Sequence, residues 1–377
     1  MKLAHRIAAT AATALAVGGL AVAPASASTG WHSERKAAVV FVQTDDPAGN
    51  NVISYERRAS ALVRRGTYAT GGQGGVLAGS VVDHLASQGS VQLDIPHHLL
   101  YVVNAGSDTL TVFRQHGSHL NRIQVVGTAG DFPVSVTANG HAVYVLNARA
   151  GGSIQGYLRI GGHLLRVPWW HRDLGLDAAA TPEFTHTPGQ VAFTPDGEHL
   201  LVTTKANTQA IDVFAVHGVG GVSAQPTVNS LPGTVPFAVS FDPRGHVAVA
   251  LAGTNSVATF ALGNGGWLTP IDTAATGQAA TCWIVSSGHK TYASNAGSAS
   301  LSAYRYDHHG HLTSIGTFGT GPGTVDAAIS SDGRYLYAQT GGTGSVDTFR
   351  IHHDGALTLI GTVVVPNGVG AEGIAAN

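Results

Sequence analysis

The chain has 377 residues, of which 20 are Lys or Arg and 22 are Asp or Glu, and this near-balance excludes a broad surface for nucleic acid or other polyanions. The single cysteine, Cys282, excludes an intrachain disulfide and a thiolate metal cluster. With 44% apolar residues, 50 glycines and 11% charged residues, the composition favours many short strands joined by tight turns.

The N-terminal segment has the three parts of an export signal. Lys2 and Arg6 precede an uncharged apolar run at residues 7–22, and small residues at 25–27 form a cleavage site. The run is shorter than the roughly 20 residues of a transmembrane helix, so we expect no membrane span. The sequence predicts a bacterial signal peptide at residues 1–27 and a secreted, extracellular mature protein.

A repeated unit accounts for residues 38–377, after a predicted linker at residues 28–37. Residues 101–113 align without a gap to residues 292–304, and each stretch has a strand ending in Asn, a turn with Gly and Ser, and a strand with an aromatic residue. Self-similarity at a fixed period indicates a repeat architecture. Equivalent aromatic residues mark seven copies: Tyr55, Phe113, Tyr157, Phe214, Phe260, Tyr304 and Phe349.

Each copy begins with a short apolar strand that ends at a turn containing Asp or Asn and Gly. Four short strands in a unit of about 40 to 50 residues match the period of a propeller blade. The sequence therefore predicts an all-β, seven-bladed β-propeller with four antiparallel strands per blade. The clearest first strands lie at residues 133–140, 188–197, 236–245 and 325–333.

The two ends of the repeat predict how the ring closes. The first copy has a strand at residues 39–44 but lacks the inner strand before it, and the chain ends with a surplus strand at residues 372–376. We expect the C-terminal strand to complete the first blade, because this pairing removes two open sheet edges.

Candidate functional residues are expected where the loops that enter the first strands meet the turns between second and third strands. Two of these entering loops, at residues 66–89 and 173–189, are longer than ordinary connectors. Such loops are usually functional or mobile, and the alternative is that they only cap the channel.

Four residues on that face could act as general acids or bases, Glu183, His186, Asp326 and Glu372, and the last three are the catalytic candidates. The alternative for the two carboxylates is a structural role as acceptors of backbone hydrogen bonds, and for His186 it is a solvated loop position. Arg149 and Lys205 follow second strands and are candidates for holding a substrate carboxylate or phosphate, or are solvated turn charges.

No cofactor or metal site is predicted. The glycine-rich residues 71–75 are not followed by a helix whose N-terminus could bind phosphate. Cys282 and Trp283 open the first strand of the sixth blade, where the pair is expected to pack in or line the channel. Histidines in turns on the opposite face are interpreted as surface side chains: His308, His309, His311, His352 and His353.

The blades resemble those of the bacterial lactonase-type seven-bladed propellers, the group that contains 6-phosphogluconolactonase and carboxymuconate-lactonising enzymes. The resemblance rests on the Tyr-x-x-Asn-x-Gly-Ser unit at residues 101–107 and 292–298, and it is greatest to a secreted bacterial branch. Segments that carry the branch resemblance lie at residues 49–52, 68–72, 132–135 and 278–283.

The resemblance implies lactone chemistry at the channel mouth, but the chain departs from the enzymes of the group. Where they have a His entering an inner strand, this chain has Ser90, Ser135 and Gln190, with His186 close by. Ser135, Gln190 and Trp283 are therefore candidate substrate contacts.

Two functions remain open at this point. The first is hydrolysis or formation of a lactone ring, with a carboxylate or a histidine activating water. The second is non-catalytic binding of an extracellular glycan, peptide or cell-wall component. Under either, the expected partner is a small-molecule lactone or an extracellular ligand, with no nucleic acid, and the protein is expected to be a monomer.

Overall fold

Short runs rich in Val, Leu, Ile and aromatic residues, each bounded by a turn, form the strands of the structure. A computed structural model describes residues 38–377, so the predicted signal peptide and linker lie outside the described residues. The described residues form seven antiparallel sheets, and this confirms the predicted all-β seven-bladed propeller.

Blades 1 to 3 each contain four strands in consecutive order from the channel outwards, except that blade 1 takes its innermost strand from the C-terminus. Blade 1 contains β1 (Val39–Gln43), β2 (Asn51–Arg58) and β3 (Ala61–Ala69). Blade 2 contains β4 (Val91–Asp94), β5 (Leu99–Asn104), β6 (Thr109–His116) and β7 (His119–Gly127). Blade 3 contains β8 (Pro133–Asn139), β9 (Ala142–Asn147), β10 (Ser153–Ile160) and β11 (His163–Asp173).

Blades 4 to 7 repeat this arrangement, except that the outer strand of blade 4 is divided into two. Blade 4 contains β12 (Gln190–Phe193), β13 (His199–Thr203), β14 (Ala210–His217), β15 (Gly221–Val222) and β16 (Thr227–Ser230). Blade 5 contains β17 (Pro236–Phe241), β18 (Val247–Leu251), β19 (Ser256–Leu262) and β20 (Leu268–Ala275). Blade 6 contains β21 (Thr281–Ser287), β22 (Lys290–Asn295), β23 (Ser300–Tyr306) and β24 (Leu312–Gly319). Blade 7 contains β25 (Thr324–Ile329), β26 (Tyr335–Thr340), β27 (Ser345–Ile351) and β28 (Leu357–Val364), and the last strand of the chain is β29 (Ile374–Ala376).

Helical structure is confined to short turns. The one α-helix of the described region is α1 (Glu183–His186), and none of the helices in residues 38–377 is long and apolar enough to cross a membrane. Three 3-10 turns follow strands or link them: Ile95–His97, Ala105–Ser107 and Ala296–Ser298.

Apolar side chains on both faces of the second strands hold neighbouring blades together. On β5, Leu100 belongs to an apolar cluster that includes Phe41 of blade 1, whereas Tyr101, the next residue, belongs to a cluster that includes Tyr144 of blade 3. Successive side chains of a strand point to opposite faces, so a continuous apolar run buries both faces of the sheet. The seven repeated aromatic residues lie on the third strands and are all buried.

The ring closes as the sequence predicts. β29 pairs with β1 in an antiparallel register in which Ile374 lies opposite Val42 and Ala376 lies opposite Val40. The innermost strands of successive blades pack against each other around the whole ring, including β25 against β29 and β29 against β4. The closing strand starts at Ile374 rather than residue 372, because Gly373 has a φ of 114° that a regular strand does not adopt.

Three further sequence boundaries differ from the structure. The first long loop begins at residue 70, since β3 continues to Ala69, and β11 extends to Asp173 before the second long loop, which contains α1. The outer strand of blade 4 is divided into β15 and β16, with Pro226 between them, where it lacks the N–H group for sheet pairing.

Removing the closing strand should destabilise the propeller. Deletion of residues 372–377 exposes edges of β1 and of the ring, and Ile374→Ala alone removes a buried side chain, which typically costs about 2–5 kcal/mol. Val364→Ala, on an outer strand where Val364 is 70% exposed, is the matched control and should change the free energy of unfolding by less than about 0.5 kcal/mol. Urea unfolding measures both, and equal stability of the deletion variant and the parent would contradict the closure.

Candidate functional site

Residues 70–90, here called the plug loop, lie across the channel mouth, which is the end of the channel where the innermost strands begin. Its side chains Leu77 and Leu85 are fully buried. Its hydrogen bonds reach blades on several sides: the indole N–H of Trp283 donates to Ser87 O at 2.6 Å, and Ser87 Oγ donates to Val134 O at 2.9 Å. Gln88 exchanges two further bonds with the backbone of Ile284, of 3.0 and 2.8 Å. The plug loop therefore covers the mouth in this conformation.

Glu372 and Asp326 lie beneath the plug loop. Glu372 is fully buried, and its carboxyl group accepts a hydrogen bond from Gly89 N at 3.1 Å and lies 3.3 Å from Ser87 Oγ. Asp326 is 3% exposed and accepts a bond from Ala327 N at 2.8 Å. Both side chains thus have the backbone acceptor contacts that were the structural alternative for them.

Burial gives both carboxyl groups raised pKa values. Burial raises the pKa of Asp326 to about 6, although hydrogen bonds oppose the shift. The pKa of Glu372 lies well above its usual value because the side chain is buried and because the neighbouring Asp326 carboxylate repels a second negative charge. Such a pair is a candidate acid or base, provided that water can reach it.

Two further buried carboxyl groups, Asp83 and Asp45, complete a cluster at the mouth. Asp83, within the plug loop, accepts bonds from the N–H groups of Leu85, Ala86 and Ser87 at 2.8, 2.8 and 3.0 Å, and burial raises its pKa to about 7. Asp45 accepts a bond from Glu372 N at 2.7 Å, and burial raises its pKa to about 8.

Sequence reasoning missed Asp45, although the repeat carries a signal for it. Asp45, Arg149 and Lys205 each lie two residues after the second strand of their blade, which ends at residue 43, 147 or 203. The same alignment that singled out Arg149 and Lys205 would have found Asp45. Glycine occupies the equivalent position in the other four blades: Gly106, Gly253, Gly297 and Gly342.

Lys205 is buried, at 1% exposure, so the solvated-turn alternative for it is wrong. Its Nζ donates to Ala86 O and Phe184 O, both at 2.6 Å, and to Thr187 Oγ1 at 3.1 Å. Burial lowers the pKa of Lys205 to about 7. Since three acceptors already surround the amine, no N–H is left for a substrate anion while the plug loop stays in place.

The other candidate substrate contacts are also engaged within the protein. Ser135 Oγ donates to Gln88 O at 2.7 Å, and Gln190 Oε1 accepts a bond from Val239 N at 2.6 Å. Trp283 is 3% exposed and bonds the plug loop, as described above. Cys282 beside it is buried, and burial raises the pKa of its thiol to about 12, so the thiol is protonated at neutral pH.

His186, at the end of α1, is half-buried and makes no hydrogen bond to the carboxyl cluster. Its Nδ1 is 3.0 Å from Pro182 O and 2.9 Å from Thr185 Oγ1, and it makes no hydrogen bond to Asp326 or Glu372. The structure therefore brings together the two predicted carboxylates, whereas His186 faces different neighbours.

Arg149 and Glu183 form an ion pair beside the cavity that His186 also lines. Arg149 Nε donates to Glu183 Oε1 at 2.7 Å, and its Nη2 is 3.3 Å from Oε2, so the pair is bidentate. The hydrogen bonds from Arg149 hold the pKa of Glu183 below its usual value. A small cavity of about 40 Å³ is lined by Arg149, Glu183, His186 and residues of both adjoining loops.

No metal centre is evident within the described part of the chain. Between residues 38 and 377, no group of three or more His, Cys, Asp or Glu side chains is arranged to ligate a metal ion.

Asp326→Asn should change how stability depends on pH. The folded state keeps the Asp326 proton up to about pH 6, whereas the unfolded chain releases it near about pH 4. The stability contributed by this group is therefore full below about pH 4 and is lost as the pH rises to about 6. Relative to the parent, the variant should gain about 1–3 kcal/mol of unfolding free energy between pH 4 and 7.

Asp196→Asn is the control of opposite sign, because a hydrogen bond from Thr194 lowers the pKa of Asp196. Its effect should appear only as the pH falls below about 4. Denaturant unfolding at several pH values measures both variants. A parent and an Asp326→Asn variant with parallel pH profiles would contradict the buried ionisation.

Gln88→Ala should loosen the plug loop. The substitution removes the two bonds to Ile284, each worth about 0.5–1.5 kcal/mol, so amide hydrogens of residues 82–88 should exchange about tenfold faster. Gln73→Ala, an exposed side chain in the same loop, is the matched control and should leave exchange there unchanged. Hydrogen-exchange mass spectrometry gives the comparison, and equal rates in the two variants would show that these bonds do not hold the loop.

Comparison with known proteins gives one family match. Residues 268–372 match the family described as "Lactonase, 7-bladed beta-propeller". No curated protein sequence matches the chain.

Solved structures resemble the chain over nearly its whole propeller. A proposed 6-phosphogluconolactonase from Bacteroides fragilis is 20% identical, with a TM-score of 0.70 over 91% of this chain and 98% of the other. A protein from Lactobacillus plantarum is 19% identical, with a TM-score of 0.71 over 90% and 98%. The periplasmic gluconolactonase of Pseudomonas aeruginosa is 17% identical, with a TM-score of 0.68 over 90% and 98%. At such identities the likeness shows the shared fold alone, so this chain is a seven-bladed β-propeller that is similar to the lactonase propellers in sequence over residues 268–372.

Proposed function

We propose that the protein hydrolyses a small lactone at the channel mouth, with His186 as the general base and Arg149 as the group that binds the carbonyl oxygen. The sequence match to lactonase propellers supports the reaction class. The orientation of His186 supports the assignment of the base, and it is the observation that carries the proposal.

The ring of His186 is oriented by a carbonyl group. Pro182 O, 3.0 Å from Nδ1, can only accept a hydrogen bond, and Thr185 Oγ1, 2.9 Å from Nδ1, can accept one while it donates to Pro182 O at 3.1 Å, so we assign the proton of the neutral imidazole to Nδ1. The other nitrogen, Nε2, is then the basic one. It makes no hydrogen bond to any residue from 38 to 377 in this conformation, and it is free to take a proton from water.

Arg149 can stabilise the charge that forms on the carbonyl oxygen. Two of its five N–H groups bond Glu183, and the guanidinium lies 4.3 Å above the ring of Phe132. The remaining N–H groups are donors that a substrate oxygen could use. Glu183 also accepts a bond from Ala78 N at 2.6 Å, so it fixes the arginine against the plug loop.

In the proposed step, water attacks the lactone carbonyl carbon while Nε2 of His186 takes the water proton. The ring C–O bond then breaks, and the protonated histidine returns the proton to the leaving alkoxide, which gives a hydroxy acid. The cavity beside His186, at about 40 Å³, has room for a water molecule but not for a sugar lactone. The substrate would therefore lie above the cavity, at the surface of the mouth.

His186→Ala should lower kcat by about a hundredfold or more, since a general base contributes about 10²- to 10⁴-fold. The measurement is turnover of a panel of sugar and muconate lactones by purified protein comprising residues 28–377. His163→Ala, at the exposed first residue of β11 on the opposite face, is the matched control and should retain the parent rate. Circular dichroism should show that both variants are folded.

Asp326→Asn and Glu372→Gln test the other two predicted catalytic residues. Because the plug loop covers them, their expected effect is on stability, with kcat changed by less than about tenfold. Loss of turnover in these variants, together with full activity of His186→Ala, would move the base to the buried carboxylates and would require the plug loop to open.

A non-catalytic binding propeller is the second candidate, and one observation favours it. Six of the eight predicted site residues are buried and bonded beneath or beside the plug loop: Asp326, Glu372, Lys205, Ser135, Gln190 and Trp283. A mouth in which these six side chains are already hydrogen-bonded presents few groups for chemistry. Absence of turnover for every lactone in the panel would favour this candidate.

We also propose that the protein is exported and acts outside the cytoplasm, on the strength of the sequence of residues 1–27 alone. N-terminal sequencing of protein secreted by a bacterial host should begin at Ser28.

A further inference from the structure

A cleft between blades 6 and 7 opens on the face opposite the channel mouth, between the turn after β21 and the turn after β27. Its volume is about 680 Å³, which lies in the range of small-molecule sites. The side chains that give it polar character are Lys290, Arg305, His289, His353 and Asp354.

The two permanent cations of the cleft have no acidic partner among the described residues. Lys290 Nζ donates to His352 O at 3.2 Å, and Arg305 Nη2 donates to Asp354 O at 2.8 Å. Each contact is to a neutral carbonyl and uses one N–H, so most donors of both side chains remain available. The Asp354 carboxylate instead accepts a bond from Ala356 N at 3.0 Å, within its own turn.

Lys290 and Arg305 are direct cross-strand partners on β22 and β23. Like charges placed opposite each other in a sheet are destabilising, so the pairing works against the fold unless an anion lies between the two groups. Arg305 directly follows the repeated aromatic Tyr304, and in five other blades the residue after the aromatic also pairs with a residue of the second strand. The second-strand residue in these pairs is uncharged or a histidine: Val39, Leu99, Ala142, His199 and Tyr335.

Clefts at other blade junctions on the same face differ in size and charge. The cleft between blades 4 and 5 has a volume of about 350 Å³ and contains Asp196 and Glu198 with Arg244. The cleft between blades 2 and 3 has a volume of about 330 Å³, and its lining includes Asp94 and no lysine or arginine. The size and the unpaired cations of the blade 6–7 cleft are therefore not general consequences of the fold.

The geometry points to a binding site in the blade 6–7 cleft for a small dianion, in which Lys290 and Arg305 together bind a phosphate or a pair of carboxylates. The Cβ atoms of directly paired residues lie about 5 Å apart, so the ammonium group of Lys290 and the guanidinium of Arg305 can contact two oxygens of one such ligand. A ligand of about the size of a monosaccharide fits the volume. This site is separate from the proposed hydrolytic site and does not depend on it.

Isothermal titration with pyrophosphate and with citrate tests the site on the protein comprising residues 28–377, at low ionic strength. Pyrophosphate or citrate should bind with a Kd near or below about 1 mM, and added salt should weaken the binding. Lys290→Met and Arg305→Gln should each weaken it at least about tenfold. Arg244→Ala, which removes an exposed arginine from the blade 4–5 cleft, is the matched control and should bind like the parent.

Without ligand, Lys290→Met and Arg305→Gln should each have an unfolding temperature no lower than that of the parent, because each substitution relieves the repulsion between the paired cations. Binding of pyrophosphate but not citrate would identify phosphate as the recognised group, and the reverse would identify carboxylates. Failure of both anions to bind, or an equal loss in Arg244→Ala, would overturn the assignment. Lactone turnover plays no part in this test.

Discussion

Glu372 connects the two features on which the channel mouth depends, the closure of the ring and the position of the plug loop. Its backbone N–H donates to Asp45 at 2.7 Å, and its backbone carbonyl accepts a bond from Ser90 Oγ at 3.0 Å. These contacts join the approach to β29 with blades 1 and 2, while the carboxylate bonds the plug loop from below. Movement of either feature would leave a buried acceptor without its donors, which typically costs about 1–3 kcal/mol per group.

The mouth combines several buried acids with a single buried amine, Lys205. Taking ionised groups out of water is unfavourable, and the pKa values of the acids rise toward or past neutrality as a result. The plug loop donates backbone N–H groups to Asp83 and Glu372, so its closed position makes the burial of these two acids tolerable. Any reaction at Asp326 or Glu372 must therefore include a step that admits water, whereas His186 needs no such step.

The sequence was sufficient to predict the blade number, the third-strand aromatics and the closing strand, because these follow from a strand–turn–strand unit that repeats along the chain. It was insufficient for the mouth. Whether Lys205 is solvated depends on where Ala86 of the plug loop lies, and that position results from contacts with blades distant in sequence. His186 was identified as a candidate, but its separation from Asp326 and Glu372 depends on α1, a single turn that no local pattern predicts.

The residue two positions after the second strand is of two kinds among the seven blades. Blades 1, 3 and 4 carry charged side chains there, whereas Gly106 and its three counterparts leave the backbone bare. A methyl group on Gly106 would lie 2.1 Å from Gly74 O of the plug loop, and one on the adjacent turn residue Gly341 of blade 7 would lie 1.7 Å from Val82 O. The turns at Gly106 and Gly341 therefore form a seat into which the loop backbone fits. Identical residues at this position in all seven blades would give either the seat or the charged side chains but not both, so the covered mouth with its charged groups depends on the differences among the repeats.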